Sequence, residues 1–312
     1  MKRLISLLSA SLALSFFSLS SYADADTSKV RYGTENVKGV NIFFREAGNP
    51  TKQAVVLLHG FPSSSYQYRE VLSALGDEFY LIAPDYPGYG HSDKPKNTEY
   101  TYTFDNVAAT MQQFLEQKSI KNYVLMIHDF GAPVGFRIAT ANPNDVAGFV
   151  VMNGNAYEEG LSKILQGSLQ SKRTPEDEAK RKKSLFGLGS IKWQYTQGAR
   201  NPESMTPDTW TLDHAIINQP DVIELNLDML YDYNSNVALY PKWQQYLRDT
   251  QPPLLMVWGK GDPFFIEAGA EAYKRDVKEI DYHILDTGHF PLEEDAEFIV
   301  EKMRNFLKNS LN

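Results

Sequence analysis

The 312-residue sequence contains no cysteine. No disulfide can therefore form and no lipid anchor can be attached through a cysteine, so the stability of the chain must come from its core. The sequence also lacks internal repeats, low-complexity tracts and clusters of metal-ligating residues. We therefore expect a protein that works without a metal ion or a cofactor.

An excess of positive charge is missing as well. Lys and Arg number 31 and Asp and Glu number 39, which gives a net charge of −8. Proteins that bind nucleic acid present clustered Lys and Arg to the phosphates, so we expect no nucleic-acid partner. The densest charge run, residues 171–183, interleaves acids with bases. This pattern is typical of a solvated helix face, here with Thr174 as its N-cap.

The beginning of the chain has a pattern of its own. The basic pair Lys2–Arg3 precedes an apolar, small-residue stretch from residue 4 to residue 18, and small residues lead up to Ala23 and Ala25. The stretch is too short and too rich in serine to span a bilayer comfortably, and the whole pattern is typical of a secretory signal peptide. We predict cleavage after Ala23 or Ala25, no membrane anchor afterwards, and a periplasmic or secreted mature protein.

In the rest of the sequence, short apolar runs alternate with helical stretches. Ala54–Leu58, Val124–Ile127 and Leu254–Trp258 have the length of buried strands, and Phe104–Lys118 has the length of a helix. Alternating strands and helices favour an α/β fold with a mostly parallel, doubly wound sheet. With 42% hydrophobic and 22% charged residues, the composition is that of a folded chain.

One segment joins such a strand to a helix through a sharp turn that carries an acid. Residues 124–135 read VLMIHDFGAPVG, and the apolar run breaks at Asp129 before it resumes with helical spacing. Taken alone, Asp129 would be interpreted as a helix N-cap. Three other loops weaken that interpretation, because each follows a predicted strand and carries a chemically useful residue: Phe61 in HGFP, Asp262 in GKGD and His289 in GHFP.

These motifs, with DYPGYGHS at residues 85–92, resemble those of the α/β-hydrolase family, in the branch that contains epoxide hydrolases and haloalkane dehalogenases. The resemblance covers nearly the whole chain after residue 23, apart from its middle. It implies an α/β-hydrolase fold with an Asp-His-Asp triad, in which Asp129 is the nucleophile, His289 the base and Asp262 the orienting acid. The backbone N–H groups of Phe61 and Phe130 are then expected to form the oxyanion hole.

An aspartate nucleophile limits the reactions that such a site can perform. A carboxylate that attacks an ester gives a mixed anhydride with no thermodynamic advantage, whereas attack on an electrophilic sp3 carbon gives a stable ester. The expected substrates are therefore small apolar epoxides or alkyl halides, with water as the second reactant. Some dehalogenases of this branch carry the acid after the strand that corresponds to residues 147–152, but Asn153 stands there and cannot supply the charge. We interpret Asn153 as a turn residue that hydrogen-bonds its own backbone.

According to the resemblance, the two substrate classes need different protein groups to stabilise the leaving atom. Epoxide hydrolases of this kind use tyrosine hydroxyls of the cap. Tyr233 in LYDYNSNV is the best match, with Tyr231 as its competitor and Tyr195 as a second donor. Dehalogenases usually place a Trp directly after the nucleophile and a second Trp or an Asn elsewhere, but Phe130 and Phe61 occupy two of these positions. Epoxide hydrolase is therefore the favoured function.

Two features favour haloalkane dehalogenase, which is the alternative. Ile127 occupies the first position of the turn, where dehalogenases more often have a β-branched residue, and Trp193 and Trp210 fall in the presumed cap, where one subgroup carries a halide-binding Trp. A third hypothesis is a non-catalytic ligand-binding protein, because a fold does not determine function. The presence of all three triad residues speaks against it.

These patterns also divide the chain. We expect a signal peptide at residues 1–23, the first part of the core at 24–155, a helical cap at 156–240 and the second part of the core at 241–312, because the strand pattern disappears between about 156 and 240. The cap, Phe61 and Phe130 would enclose an apolar cavity. His59 is interpreted as a residue that braces its loop, and His128 as a packing or hydrogen-bonding residue that does not transfer protons.

Overall fold

The computed structural model describes residues 29–309. The predicted signal peptide, residues 1–23, lies outside the described residues, so cleavage and export stay predictions. Within residues 29–309, no helix combines the length and the apolar character that crossing a bilayer requires.

Strands of the described chain form one eight-stranded sheet. They are β1 (Arg31–Val37), β2 (Val40–Ala47), β3 (Ala54–Leu58), β4 (Tyr80–Pro84), β5 (Tyr123–His128), β6 (Val146–Met152), β7 (Leu254–Gly259) and β8 (Asp281–Leu285). Their order across the sheet is β1-β2-β4-β3-β5-β6-β7-β8. Only β2 runs antiparallel to its neighbours, and all other pairs are parallel. The predicted mostly parallel sheet is confirmed.

The α-helices of residues 29–309 fall into three groups along the chain. Those before β6 are α1 (Arg69–Leu75), α2 (Phe104–Gln117) and α3 (Gly131–Ala141). Those between β6 and β7 are α4 (Lys163–Gln170), α5 (Pro175–Leu185), α6 (Leu188–Thr196), α7 (Asp208–Ile217), α8 (Pro220–Asp232) and α9 (Asn234–Thr250). Two more follow β7, namely α10 (Glu267–Ala272) and α11 (Ala296–Asn309).

Side chains of the central strands alternate between two buried layers. Val55 and Leu57 of β3 belong to the layer that includes α1 and α11, whereas Val56 and Leu58 belong to the layer that includes α2 and α3. Because helices cover both faces, β3, β5 and β7 are buried along their whole length and read as continuous apolar runs. The doubly wound arrangement predicted from those runs is confirmed.

The direction of the strands brings distant loops together. Parallel strands end at the same edge of the sheet, where α/β proteins bind their ligands. Phe61 follows β3, Asp129 follows β5, Asp262 follows β7 and His289 follows β8. The four loops identified by motif therefore converge at one edge.

The segment between β6 and β7 is helical, as expected for the predicted cap at residues 156–240. Its boundaries stay predictions, and residue 240 falls inside α9, a continuous helix that also packs on α3. The charge run forms α5. The N–H of Asp177 donates to Oγ1 of Thr174 at 3.2 Å, so the N-cap prediction is confirmed. The helix is not solvated all round, because Arg181 is buried.

Candidate active site

Asp129 occupies the turn between β5 and α3. Its φ angle of 49° lies in the left-handed region, which Asp adopts more readily than most residues that carry a side chain. A Cβ on Gly131 would lie 2.1 Å from the carbonyl oxygen of Leu58, and a Cβ on Gly60 would lie 2.4 Å from the Cβ of Asp129. Gly131 therefore lets the start of α3 pack against the end of β3, and Gly60 lets the HGFP loop approach the acid closely.

The Asp129 carboxylate is held by backbone amides. The N–H of Phe61 donates to Oδ1 at 2.6 Å, and the N–H of Phe130 also hydrogen-bonds to the carboxylate. The two N–H groups predicted to form the oxyanion hole therefore both point at Asp129. Burial raises the pKa of Asp129 to about 6, although the charge of His289 and the two amides favour the ionised form. The carboxyl group is therefore ionised at pH 7 and above.

His289 lies between two carboxylates. Its Nδ1 donates to Oδ2 of Asp262 at 2.7 Å, and its Nε2 lies 4.0 Å from Oδ2 of Asp129. Because a carboxylate only accepts, Nδ1 carries the proton of the neutral ring and Nε2 presents a lone pair towards Asp129. Burial lowers the pKa of His289, but the charge and hydrogen bond of Asp262, with the charge of Asp129, outweigh burial and raise the pKa above its usual value. The ring is placed to accept a proton.

Asp262 is fixed by three further hydrogen bonds. The N–H groups of Phe264 and Phe265 donate to Oδ1 at 2.7 and 3.1 Å, and Nδ2 of Asn153 donates to Oδ2 at 2.8 Å. The side chain of Asn153 also accepts from the N–H of Gly259 at 2.9 Å. The prediction that Asn153 bonds its own backbone is therefore wrong. Asn153 stands at the end of β6, which pairs with β7, so its side chain reaches the neighbouring loop and holds Asp262.

Two other histidines near the site have structural partners. Nε2 of His128 donates to the carbonyl of His289 at 2.8 Å and Nδ1 accepts from Gln67, and burial holds the pKa of His128 well below its usual value. Nε2 of His59 accepts from the N–H of Tyr86 at 3.2 Å, and burial lowers the pKa of His59 to about 4. Both rings are therefore neutral at pH 7 and brace the loops, in agreement with the sequence interpretation.

A cavity of about 420 Å³ is lined by Asp129 and His289. Loops at the edge of the sheet form one side of the cavity, and residues of α4, α5, α6 and α8 form the other. In residues 29–309, no three His, Asp or Glu side chains are grouped so that they could hold a metal ion. The side of the cavity near Asp129 is aromatic, with Phe61, Phe130, Phe264 and Phe265 in its wall, whereas α4 and α5 contribute serines and charged residues.

Tyr233 also lines the cavity. It lies between α8 and α9, and its ring centroid is 6.1 Å from that of Phe130. Its hydroxyl shares a hydrogen bond with that of Tyr240, which also accepts from Nδ2 of Asn155 at 3.1 Å. Burial raises the pKa of Tyr233 well above its usual range. The structure therefore brings a protonated phenol to the cavity that contains Asp129.

The other tyrosines considered from the sequence point elsewhere. The hydroxyl of Tyr231 donates to Asp177 at 2.6 Å. Tyr195 is buried, its ring stacks on Phe290 with centroids 3.9 Å apart, and its hydroxyl donates to Asp213 at 2.5 Å. Neither tyrosine lines the cavity. The structure therefore does not bring Tyr195, the second predicted donor, to Asp129.

Tryptophan is absent from the described residues that line the cavity. Trp193 is 39% exposed, and Trp210 is buried beside Tyr195. The residue that α6 presents to the cavity is Gln194, for which the sequence contained no motif. Asn153 was missed for a similar reason, since its contact with Asp262 joins two strands that are distant in the chain.

The sheet, its catalytic-type loops and this site define a hydrolase of the alpha/beta-hydrolase superfamily. The family model for the alpha/beta hydrolase fold matches residues 53–296, and the chain belongs to this family. An uncharacterized hydrolase from Saccharomyces cerevisiae is 38% identical over 270 residues, which are 85% of this chain and 92% of the relative.

Two further relatives carry the names of the predicted branch. Epoxide hydrolase 2 of Caenorhabditis elegans is 27% identical over 246 residues, which are 75% of this chain and 68% of the relative. A haloalkane dehalogenase of Psychrobacter cryohalolentis is 38% identical over 112 residues, which are 35% of this chain and 36% of the relative. The resemblance drawn from the motifs is confirmed.

Proposed function

We propose that this hydrolase opens epoxides with Asp129 as nucleophile and then hydrolyses the resulting ester with His289 as base. The observation that carries the proposal is that Asp129, His289 and Tyr233 line one cavity. A carboxylate, a base and a phenol are the groups that epoxide opening through an ester intermediate requires. The relative named epoxide hydrolase supports the same substrate class.

In the first step, a carboxylate oxygen of Asp129 attacks a carbon of the epoxide ring. The new C–O bond forms as the ring C–O bond breaks, and the electron pair passes to the ring oxygen, which takes the proton of Tyr233. The product is an ester of Asp129 with a hydroxyl group on the neighbouring carbon. Tyr233 holds its proton until this step because burial raises its pKa well above the usual range.

In the second step, water attacks the Cγ atom of Asp129 while Nε2 of His289 takes a proton from it. Negative charge develops on the oxygen that faces the N–H groups of Phe61 and Phe130, and each such donor contributes roughly 3 kcal/mol to similar reactions. Asp262 stabilises the charged imidazole. Collapse releases the diol, which takes the proton from His289, and the proton of the new carboxyl group returns to the oxygen of Tyr233.

Haloalkane dehalogenation shares the first step but needs different donors. A halide leaves as a free anion, so the cavity would need N–H groups that face it. Phe61 and Phe130, which flank the carboxylate, have no polar hydrogen on their side chains, and neither Trp193 nor Trp210 lines the cavity. The described wall therefore lacks the tryptophan N–H groups that the resemblance associates with halide binding, whereas it contains the phenol of Tyr233 that an epoxide needs.

Replacing His289 by glutamine is expected to trap the ester, because the second step then lacks its base. We would incubate the His289→Gln protein with a small aromatic epoxide and, in parallel, with a brominated alkane, and measure the intact mass. The expected result is a gain equal to the whole epoxide. The double variant Asp129→Asn with His289→Gln is the control and should gain nothing.

The same measurement has two results that would contradict the proposal. A gain equal to the alkyl group without bromine, with no gain from the epoxide, would establish dehalogenation instead. No adduct with either reagent, in a protein that unfolds at the parent temperature, would exclude a carboxylate nucleophile.

Replacing Tyr233 by phenylalanine is expected to lower kcat/KM for an epoxide by about 10²- to 10³-fold, because the leaving oxygen loses its acid. Steady-state kinetics would measure the loss. Tyr231→Phe is the matched control, since Tyr231 itself does not line the cavity and its hydroxyl bonds to Asp177 in the wall that α5 forms, and we expect it to keep the parent activity. Equal losses in both variants would indicate a structural effect and would count against Tyr233 as the acid.

A further inference from the structure

A short segment of the cap, residues 197–201, lies directly on the loops that follow β7 and β8. A Cβ on Gly198 would lie 1.8 Å from the carbonyl oxygen of Gly261, in the loop after β7. A Cβ on Gly288, in the loop after β8, would lie 2.8 Å from the carbonyl oxygen of Gln197. Side chains cannot be accommodated at these distances, so the contact needs glycine. The backbone of the cap therefore touches both loops.

One carboxylate fastens this contact. Oε1 of Glu294 accepts from the N–H groups of Arg200 and Asn201 at 2.8 and 3.1 Å. Oε2 of Glu294 accepts from the N–H of Gly288 at 3.1 Å, and Gly288 directly precedes His289. Glu294 therefore binds the cap with one oxygen and the loop of His289 with the other.

The loop after β7 belongs to the same arrangement. The N–H of Gly261 donates to the carbonyl of Thr287 at 3.0 Å, and Nδ1 of His289 donates to Asp262 at 2.7 Å. A displacement at the cap would therefore reach the imidazole through both loops. A base takes a proton from water only within hydrogen-bond distance, and a shift of about 1 Å can slow such a step by about 10²-fold.

The two acids beside Glu294 have different partners. Oδ1 and Oδ2 of Asp295 accept from the guanidinium of Arg200 at 2.8 and 3.4 Å, so Asp295 binds the cap alone. The carboxylate of Glu293 accepts from the guanidinium of Arg69 at 2.9 and 2.7 Å, so Glu293 binds α1. Of these three acids, Glu294 is the one whose side chain joins the cap to the loop of His289.

We propose that Glu294 is a positioning residue for His289, which it holds in place by fastening the loop after β8 to the cap. The inference rests on the proposed function and concerns its second step. Hydrolysis of the ester requires water between Nε2 of His289 and Cγ of Asp129, so its rate depends on where the ring is held. Ring opening instead uses the carboxylate of Asp129 and the phenol of Tyr233, which other groups hold. Glu294 therefore affects the second step and spares the first.

Single-turnover measurements separate the two steps. We would mix the Glu294→Gln protein with a small aromatic epoxide, quench the reaction at intervals and follow the ester on Asp129 by intact mass. Glutamine keeps the size of glutamate but has one acceptor oxygen, so it cannot serve both the cap and Gly288. We expect the ester to form at the parent rate and to decay about 10- to 100-fold more slowly. Asp295→Asn is the matched control, because it removes a bond to the cap and leaves Gly288 untouched, and it should keep both rates.

The outcomes separate this inference from the proposed function. If His289→Gln forms no epoxide adduct, the proposed function fails and the role of Glu294 fails with it. If that adduct forms but the ester of Glu294→Gln decays at the parent rate, only the inference is overturned. Equal slowing of formation and decay, or the same slow decay in Asp295→Asn, would indicate a general loosening of the cap and would also overturn it. If Glu294→Gln does not fold, Glu294→Asp decides in its place, because its carboxylate keeps the charge but is one methylene too short to reach both sides.

Discussion

Replacing Asp129 by asparagine is expected to reduce kcat/KM at least about 10⁴-fold, a loss of the size seen when a nucleophile is removed from other hydrolases. An amide oxygen does not displace the oxygen of an epoxide. Asparagine has the same size, tolerates the left-handed turn and can still accept from the N–H of Phe61. The loss of activity, measured from initial rates with an epoxide, would therefore report on the carboxylate itself.

The same substitution is expected to make the protein more stable above pH 6. Burial raises the pKa of Asp129 from its usual 3.8 to about 6, so between these pH values the native state holds a proton that the unfolded state has released. The native state therefore loses stability as the pH rises through this window, and keeps the deficit at higher pH. At 1.36 kcal/mol per pKa unit, the deficit is about 3 kcal/mol. Asparagine carries no charge, so the variant avoids this loss of stability.

Urea unfolding at pH 4 and pH 8 would measure this gain. We expect a small difference between Asp129→Asn and the parent at pH 4 and a clear one at pH 8. Asp85→Asn is the contrasting control, because the buried Asp85 carboxylate accepts from the N–H groups of Ser65 and His91 at 2.7 and 2.8 Å, so its replacement should destabilise the protein. An Asp129→Asn protein that is less stable than the parent at pH 8 would contradict the account of a poorly solvated charge.

Replacing Asp262 by asparagine is expected to lower kcat by about 10³- to 10⁴-fold, because the imidazole loses both its orientation and the charge that stabilises its protonated form. An amide nitrogen that faces Nδ1 of His289 would favour the wrong tautomer, in which Nε2 carries the proton and cannot accept one from water. Ring opening needs no base. The ester on Asp129 should therefore accumulate during turnover, and intact mass would detect it.

The pH dependence of the Asp262→Asn protein supplies a second readout. Burial lowers the pKa of His289 and Asp262 raises it, so without Asp262 burial dominates and the acid limb of kcat moves to lower pH. Asp276→Asn is the matched control, since the buried Asp276 accepts from Tyr157 at 2.8 Å and from Arg248 at 2.6 Å outside the cavity. It should lower the unfolding temperature and leave kcat unchanged. Retention of kcat within about tenfold in Asp262→Asn, a difference of only 1.4 kcal/mol, would remove Asp262 from the mechanism.

The core and its loops could be predicted because their signals are local. Asp129, Asp262 and His289 each follow an apolar run and lie within two residues of a glycine, and the parallel direction of the strands then brings their loops to one edge. The sequence therefore indicated which residues would meet. It could not indicate the partner of Asn153, because that contact depends on the pairing of β6 with β7.

The cap was harder to predict because its helix α6 has no single apolar face. Leu188 and Trp193 are exposed whereas Ile191 and Tyr195 are buried, so the spacing of hydrophobic residues does not define which side of the helix meets the core. The prediction that Tyr195 is a donor depended on knowing which side of α6 faces the cavity. A rotation by one residue exchanges Tyr195 for Gln194 at the cavity.

Tyr195 also fixes one side of the cap to the core. Its ring stacks on Phe290, the neighbour of His289, and its hydroxyl bonds to Asp213, which also accepts from the hydroxyl of Ser63 in the HGFP loop. Opening the cavity on this side would break a buried stack and buried hydrogen bonds at once.

On the opposite side of the cap, ion pairs at the surface accompany the hydrogen bond from Tyr231 of α8 to Asp177 of α5. Lys182 of α5 pairs with Glu224 of α8, and Arg173, which precedes α5, pairs with Asp228 of α8; both ion pairs are partly exposed. Such pairs contribute little and are screened by salt. We therefore expect the contact between α5 and α8 to loosen as the ionic strength rises, whereas the buried hydrogen bonds around Asp129, His289 and Asp262 should not respond to salt.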